Sequence, residues 1–116
     1  MSALGRVSRD PYISLTSLRQ IEGTLGFDLP AAYRDVVTTC EPEMANFYFK
    51  GPERHAGHSH LIVFASWGED LFAFDTKDNF RIRTIIGNEP AGKEWPEFRD
   101  WLAYVWGMSN RPINPE

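Results

Sequence analysis

Two stretches in the middle of the chain, residues 71–76 and 80–86, alternate between apolar and polar side chains. This alternation is the pattern of a β-strand that has one buried face. The residues between them, 77–79, suit a hairpin loop because Asn79 can adopt the left-handed conformation that such loops need. The sequence therefore predicts an antiparallel hairpin, and this pairing constrains the fold more than any other feature.

The register of this hairpin follows from the need to keep one face apolar. A two-residue turn would place Phe74 opposite Arg83 and mix apolar with charged side chains. The three-residue loop places Phe74 opposite Ile82 instead. It also places Asp75 opposite Arg81, where the two charges would form a cross-strand ion pair.

The same argument extends to the preceding apolar stretch, residues 61–65. A five-residue loop, 66–70, would place Ile62 opposite Phe74 and Phe64 opposite Phe72. The predicted core face of the sheet is Ile62, Phe64, Phe72, Phe74, Phe80 and Ile82. The other face carries Leu61, Val63, Ala65 and Leu71, so we expect it to be partly covered as well.

Helices are predicted before this region. Ser17 is the expected N-cap of the first helix, since Gln20 three residues later completes a capping-box pattern. Gly26 is expected to end that helix in the left-handed conformation. Pro30 suits the first position of a second helix, where its missing N–H costs nothing.

The rest of the chain is read from its turn residues and apolar spacing. A short strand is predicted at 47–50, with loops at 53–60 and 87–94. A last helix is expected after Pro96, ending at Gly107. Its apolar stripe is Phe98, Trp101, Leu102, Val105 and Trp106. The tail, 108–116, is expected to be loose.

These elements predict an α+β fold with a mostly antiparallel sheet of about four to six strands, two N-terminal helices and one C-terminal helix. With 116 residues, 42% of them hydrophobic, the chain is expected to form one domain over 1–116, with its core at about 14–106. The first nine residues lack the apolar centre of a secretory signal, and the single cysteine, Cys40, excludes an internal disulfide. We therefore expect a cytoplasmic protein that does not enter a membrane.

The net charge of −4 is concentrated in one segment, residues 41–79, which holds three basic and seven acidic residues. This distribution argues against direct nucleic-acid binding, which needs a basic face. It suits a basic partner. The alternative is an ordinary solvated acidic face that aids solubility.

Two blocks of the sequence resemble the SUKH superfamily. The first block is Ile21, Glu22, Leu25, Gly26, Leu29, Pro30 and Tyr33. The second block is Phe64-Ala65-Ser66, Gly68 and the run Asp70–Asp75. The chain departs from the family at Thr39-Cys40-Glu41 and around Gly68, where glycine-rich turns are common.

The resemblance implies the SUKH fold and a binding function rather than an enzymatic one. Many bacterial members resemble immunity proteins that neutralise a cognate toxin, often a nuclease, and a fungal branch resembles regulators of cell-wall synthesis. We therefore expect an immunity protein, acting as a monomer or weak homodimer, that occludes a basic toxin with its acidic surface. The alternative is an intracellular scaffold or regulator that binds a host protein or a small ligand.

The candidate partner-binding residues all lie in the acidic segment. They are Glu41, Glu43, Trp67, Glu69, Asp70 and Asp78. Tryptophan is enriched in binding hot spots, so Trp67 at a loop tip is a candidate anchor. The alternative for Trp67 is that it folds back onto the sheet.

The sequence contains no recognisable catalytic or cofactor-binding motif, so we expect no cofactor and no enzymatic activity. His55, His58 and His60 form a cluster to which Glu53 could add a fourth zinc ligand, but their spacing matches no helical pair. We expect these histidines to be solvated, with metal-dependent catalysis as the less favoured alternative. Cys40 follows a helix end, where no helix dipole lowers its pKa, and is expected to be a packed residue.

Overall fold

The computed structural model describes residues 11–39 and 47–110. In this part the chain forms three helices and one five-stranded antiparallel sheet, which confirms the predicted α+β fold. The elements are α1 (Leu15–Leu25), α2 (Ala31–Thr39), β1 (Phe47–Arg54), β2 (Leu61–Trp67), β3 (Asp70–Asp75), β4 (Arg81–Ile86), β5 (Glu89–Trp95) and α3 (Phe98–Asn110). The chain divides into two compact units, residues 1–43 with α1 and α2, and residues 44–116 with the sheet and α3.

Helix α1 begins at Leu15, so the prediction that Ser17 is its N-cap is wrong. Ser14 is the N-cap, and its hydroxyl oxygen accepts a hydrogen bond from the Ser17 N–H at 3.1 Å. The Ser14 carbonyl also accepts the Leu18 N–H at 2.9 Å, which is the first hydrogen bond of the helix, so Ser17 already lies within the first turn. The predicted end is confirmed, since Gly26 is the C-cap with φ 92°.

A buried carboxylate holds the elbow between α1 and α2. Glu22 is only 5% exposed, and its Oε2 accepts hydrogen bonds from the Leu29 N–H at 2.8 Å and from Arg34 Nη2 at 3.0 Å. Its own carbonyl accepts the Gly26 N–H at 2.8 Å. The Pro30 carbonyl then accepts the Arg34 N–H, so α2 begins at Ala31, directly after the predicted start.

The five strands lie in the order β1-β2-β3-β4-β5, and every neighbouring pair is antiparallel. The predicted register of the β3–β4 hairpin is confirmed, with Phe74 opposite Ile82 and Asp75 opposite Arg81. Asn79 is left-handed as predicted, with φ 56°. Phe80 is also left-handed, with φ 61°, so it belongs to the turn and β4 starts one residue later than expected.

The β2–β3 pairing is only partly as predicted. Ile62 does lie opposite Phe74, but Phe72 lies opposite Ala65 rather than Phe64. The reason is a β-bulge between Val63 and Ala65, which shifts the register by one residue. The bulge compensates for a β2–β3 turn of two residues where a five-residue loop was predicted.

Strands β1 and β5 correct two further predictions. Residues 87–94 were predicted to be a loop, but most of them form β5, joined to β4 by a two-residue turn. Gly87 and Asn88 both have positive φ, 59° and 73°, which is the requirement of a type I′ turn. Strand β1 continues past Gly51 to Arg54 through a bulge, although Gly51 was expected to end it.

Helix α3 packs on one face of the sheet through fully buried Trp101. The centroid of its ring lies 4.8 Å from that of Phe64 and 5.4 Å from that of Phe72. Phe64 also stacks on Phe74 at 4.3 Å, in agreement with the predicted core face. The helix runs through Gly107 to Asn110, because Gly107 does not adopt the left-handed conformation that would end it.

The opposite face of the sheet carries its own cluster of buried apolar side chains. These are Leu61, Val63, Ala73 and Ile85, with Leu71 packed against them. The cluster confirms the prediction for Leu61, Val63 and Leu71. Ala65 was also predicted there, but the bulge places it opposite Phe72. Both faces of the sheet therefore bury apolar side chains. Its exposed side chains lie at the turns and in the edge strands β1 and β5.

Candidate functional site

The β2–β3 turn presents a tryptophan on a rigid base. Trp67 lies opposite Asp70, and Gly68, with φ 61°, occupies the first of the two central positions. A positive φ at that position alone is the pattern of a type II′ turn, which suits the twist of the flanking strands. Trp67 stacks on Phe47 at 4.9 Å and remains 37% exposed. Trp67 therefore packs on the sheet, as one interpretation predicts, and still exposes part of its ring to a partner, as the other requires.

Several acidic residues of the segment 41–79 are already neutralised within the protein. The Asp75 carboxylate accepts a hydrogen bond from Arg83 Nε at 2.5 Å. Asp78 Oδ2 lies 3.2 Å from Nε of Arg81 and from Nη2 of Arg83. The predicted pairing of Asp75 with Arg81 is thus wrong, because the fork of Arg83 reaches Asp75 diagonally while Arg81 turns to Asp78.

Of the other three described carboxylates in the segment, one has a nearby cation and two do not. Glu53 lies 3.8 Å from Lys50 Nζ, whereas Glu69 and Asp70 form no ion pair with any described residue. Glu41 and Glu43 lie outside the described residues. Among the described residues of this segment, the carboxylates without an ion pair are therefore the two at the β2–β3 turn, beside Trp67.

The Asp75–Arg83 pair makes the stability of the sheet depend on pH. Burial alone would raise the pKa of the Asp75 carboxyl group, but the hydrogen bonds from Arg83 and from the Lys77 N–H, with the charges of Arg83 and His60, outweigh burial and lower that pKa. A lowered pKa in the folded state adds stability above the unfolded pKa of about 4, and this contribution is lost as pH falls through the folded value.

We expect Asp75→Asn to lower the free energy of unfolding by about 1–3 kcal/mol at pH 7, because a neutral amide is a weaker acceptor for the Arg83 guanidinium than a carboxylate. We also expect the variant to lose less stability than the wild type between pH 5 and 2. Denaturant unfolding at a series of pH values measures both effects. Parallel pH curves for the two proteins would contradict the assignment.

An aromatic groove of about 160 Å³ lies between the β2–β3 turn, β4, β5 and α3. It is lined by Trp67, Asp70, Phe72, Thr84, Ile86, Gly92, Lys93, Trp95 and Tyr104. The Trp95 ring lies 5.1 Å from Tyr104 and 5.9 Å from Phe72. The Lys93 ammonium lies 5.7 Å from the centroid of the Tyr104 ring.

The groove joins predicted and unpredicted residues. Trp67 and Asp70 were candidates from the sequence, whereas Lys93, Trp95 and Tyr104 were not. The missed residues come from β5 and α3, and the sequence predicted a loop in place of β5. The Gly87-Asn88 dipeptide is a hairpin signal that would have revealed β5.

The histidine cluster is spread along the β1–β2 connection. His55 Nδ1 accepts the Gly57 N–H at 3.0 Å, and His58 Nε2 lies 3.3 Å from Glu89 Oε1. The ring centroids are 5.4 Å apart for His55–His58 and 6.0 Å for His58–His60. Within residues 11–39 and 47–110, no group of three or more His, Cys, Asp or Glu side chains is arranged to hold a metal ion. Cys40 lies outside those ranges.

Comparisons of the chain with known protein families, with curated proteins and with solved structures found no match. Among the described residues, none of the helices has the length and apolar character needed to cross a membrane.

Proposed function

We propose that this chain is a non-catalytic binding protein of the SUKH type that neutralises a cognate bacterial toxin by covering its basic surface. The observation that carries the proposal is the β2–β3 turn, where the partly exposed Trp67 stands beside Glu69 and Asp70. The immunity role itself rests on the resemblance of the two sequence blocks to that superfamily.

The geometry of the turn supports a protein partner. A two-residue hairpin holds its side chains with little freedom, so little conformational entropy is lost on binding. Trp67 offers a large contact area at the turn, and tryptophan dominates many binding interfaces. Carboxylates without an internal cation attract a basic surface and raise the rate of association.

The proposal is tested by affinity capture of the tagged chain from its native host, grown under conditions that induce secreted toxins. We expect a basic toxin domain to co-purify in a one-to-one ratio. Recovery of a cellular enzyme or regulator instead would favour the scaffold alternative and contradict the immunity role. A toxin gene beside the gene for this chain would be independent support.

The groove bears on the alternative of a small ligand. Its volume of about 160 Å³ is below the roughly 300–1,000 Å³ of pockets that enclose drug-sized molecules. The groove is therefore better matched to a single side chain of a protein than to a cofactor.

A further inference from the structure

We infer that the aromatic groove beside the β2–β3 turn receives one arginine side chain of the protein partner. This inference rests on the proposed function and specifies the chemistry by which the partner is recognised. Three properties of the groove carry it, namely its aromatic walls, its carboxylate and its size.

The walls of the groove suit a cation. Trp67, Phe72, Trp95 and Tyr104 contribute four aromatic rings, and positive groups are attracted to the faces of such rings, with tryptophan the strongest. The protein already shows this preference, since the Lys93 ammonium lies over the Tyr104 ring at 5.7 Å. A planar guanidinium also stacks on aromatic faces, which an ammonium does not.

The carboxylate of Asp70 gives the groove its charge selectivity. Asp70 lines the groove and is not ion-paired with any Lys, Arg or His in the described part of the chain. A guanidinium can donate two parallel hydrogen bonds to one carboxylate, a geometry that favours arginine over lysine. A carboxylate beside aromatic walls therefore complements an arginine head group.

The size of the groove limits the occupant to one side chain. Its volume of about 160 Å³ is close to that of an engineered cavity of about 150 Å³ that takes up a single benzene molecule. A second residue of the partner would have to lie outside the groove, where the exposed part of Ile86 offers it an apolar contact.

Lys93 opposes this occupant. Its ammonium has the same charge as the incoming guanidinium and covers part of the Tyr104 surface. We therefore expect Lys93 to swing outward on binding and its removal to strengthen binding. This expectation distinguishes a groove that binds arginine from one that binds an acidic or uncharged ligand, because Lys93 would strengthen or not affect the binding of such a ligand.

The test is a titration of the purified protein with the capped tripeptide acetyl-Gly-Arg-Gly-amide, followed by NMR of the tryptophan indole N–H groups. We expect saturable shifts of the Trp67 and Trp95 signals with a Kd of about 1 mM, as suits one isolated side chain. Tripeptides with citrulline, glutamate or phenylalanine in place of arginine are the controls. Equal or stronger shifts with any of these three, or no shift with arginine, would overturn the inference.

Two variants sharpen the result. Asp70→Asn is expected to weaken arginine binding about tenfold, because a charge-assisted hydrogen bond becomes a neutral one. Lys93→Met is expected to strengthen it about two- to fivefold, the effect of one exposed cation–π contact. Unchanged affinity in both variants would place the peptide elsewhere on the protein.

The tripeptide measures the groove without any toxin. Failure of the arginine tripeptide to bind therefore contradicts the inference about the groove and does not affect the immunity proposal. If the protein binds the arginine tripeptide but captures no toxin, the proposed function is contradicted and the groove is still an arginine-binding site.

Discussion

Replacing Trp101 with alanine is expected to lower the free energy of unfolding by about 3–5 kcal/mol, the range for removing a large buried aromatic side chain. Trp101 is fully buried and contacts the rings of Phe49, Phe64, Phe72 and Phe98. Small domains have a total stability of about 5–15 kcal/mol, so this single change removes a large part of it. Denaturant unfolding followed by circular dichroism measures the loss.

Trp106 is the matched control on the same helix. The sequence placed both tryptophans on one apolar stripe, but Trp106 is 47% exposed. We expect Trp106→Ala to cost about 1 kcal/mol, well below the loss at Trp101, because only about half of this side chain is buried. Similar losses for the two variants would contradict the placement of Trp101 at the centre of the sheet–helix core.

Replacing Glu22 with alanine is expected to cost about 3 kcal/mol. Removing one partner of a buried ion pair costs about 3–5 kcal/mol, and the lower end applies here because Arg34 is 25% exposed. The change also leaves the Leu29 N–H without its carboxylate acceptor. Thermal and denaturant unfolding of the variant measure this cost.

Asp28 provides the comparison for Glu22. It lies 3.9 Å from the same arginine but is 83% exposed, so Asp28→Ala is expected to change stability by at most about 1 kcal/mol. Glu22→Gln keeps a hydrogen-bond acceptor for Leu29 and should fall between the two. A cost for Glu22→Ala as small as that for Asp28→Ala would show that the elbow does not depend on this carboxylate.

Much of the fold could be predicted from local patterns. The register of the β3–β4 hairpin followed from keeping Phe74 opposite Ile82, and Gly26 marked the end of α1 by its freedom at positive φ. The bulge beside Phe64 could not be predicted, because alternation gives the face of a residue but not the length of the next turn. Strand β5 was not predicted because its side chains are exposed except for Trp95, so burial imposes no alternating pattern on its sequence.

The candidate site was predictable only where its residues are close in sequence. Trp67, Glu69 and Asp70 share one turn, and the structure keeps them together. Lys93 comes from β5 and Tyr104 from α3, and only the packing of these elements in the folded chain brings them to the groove that Trp67 lines. The prediction for Asp78 rested on its charge alone, and its ion pairs with two arginines depend on the reach of their side chains, which the sequence does not reveal.

The measurement that tests the central claim most directly is the association rate with the captured partner, for the double variant Glu69→Lys, Asp70→Lys against the wild type at several salt concentrations. The control is Asp28→Lys, Asp35→Lys, which changes the net charge equally at two exposed positions of the other compact unit. We expect the turn variant to associate about tenfold more slowly and with a flatter salt dependence, while the control stays close to the wild type. An unchanged association rate for the turn variant, or an equal loss in the control, would contradict binding through the β2–β3 turn.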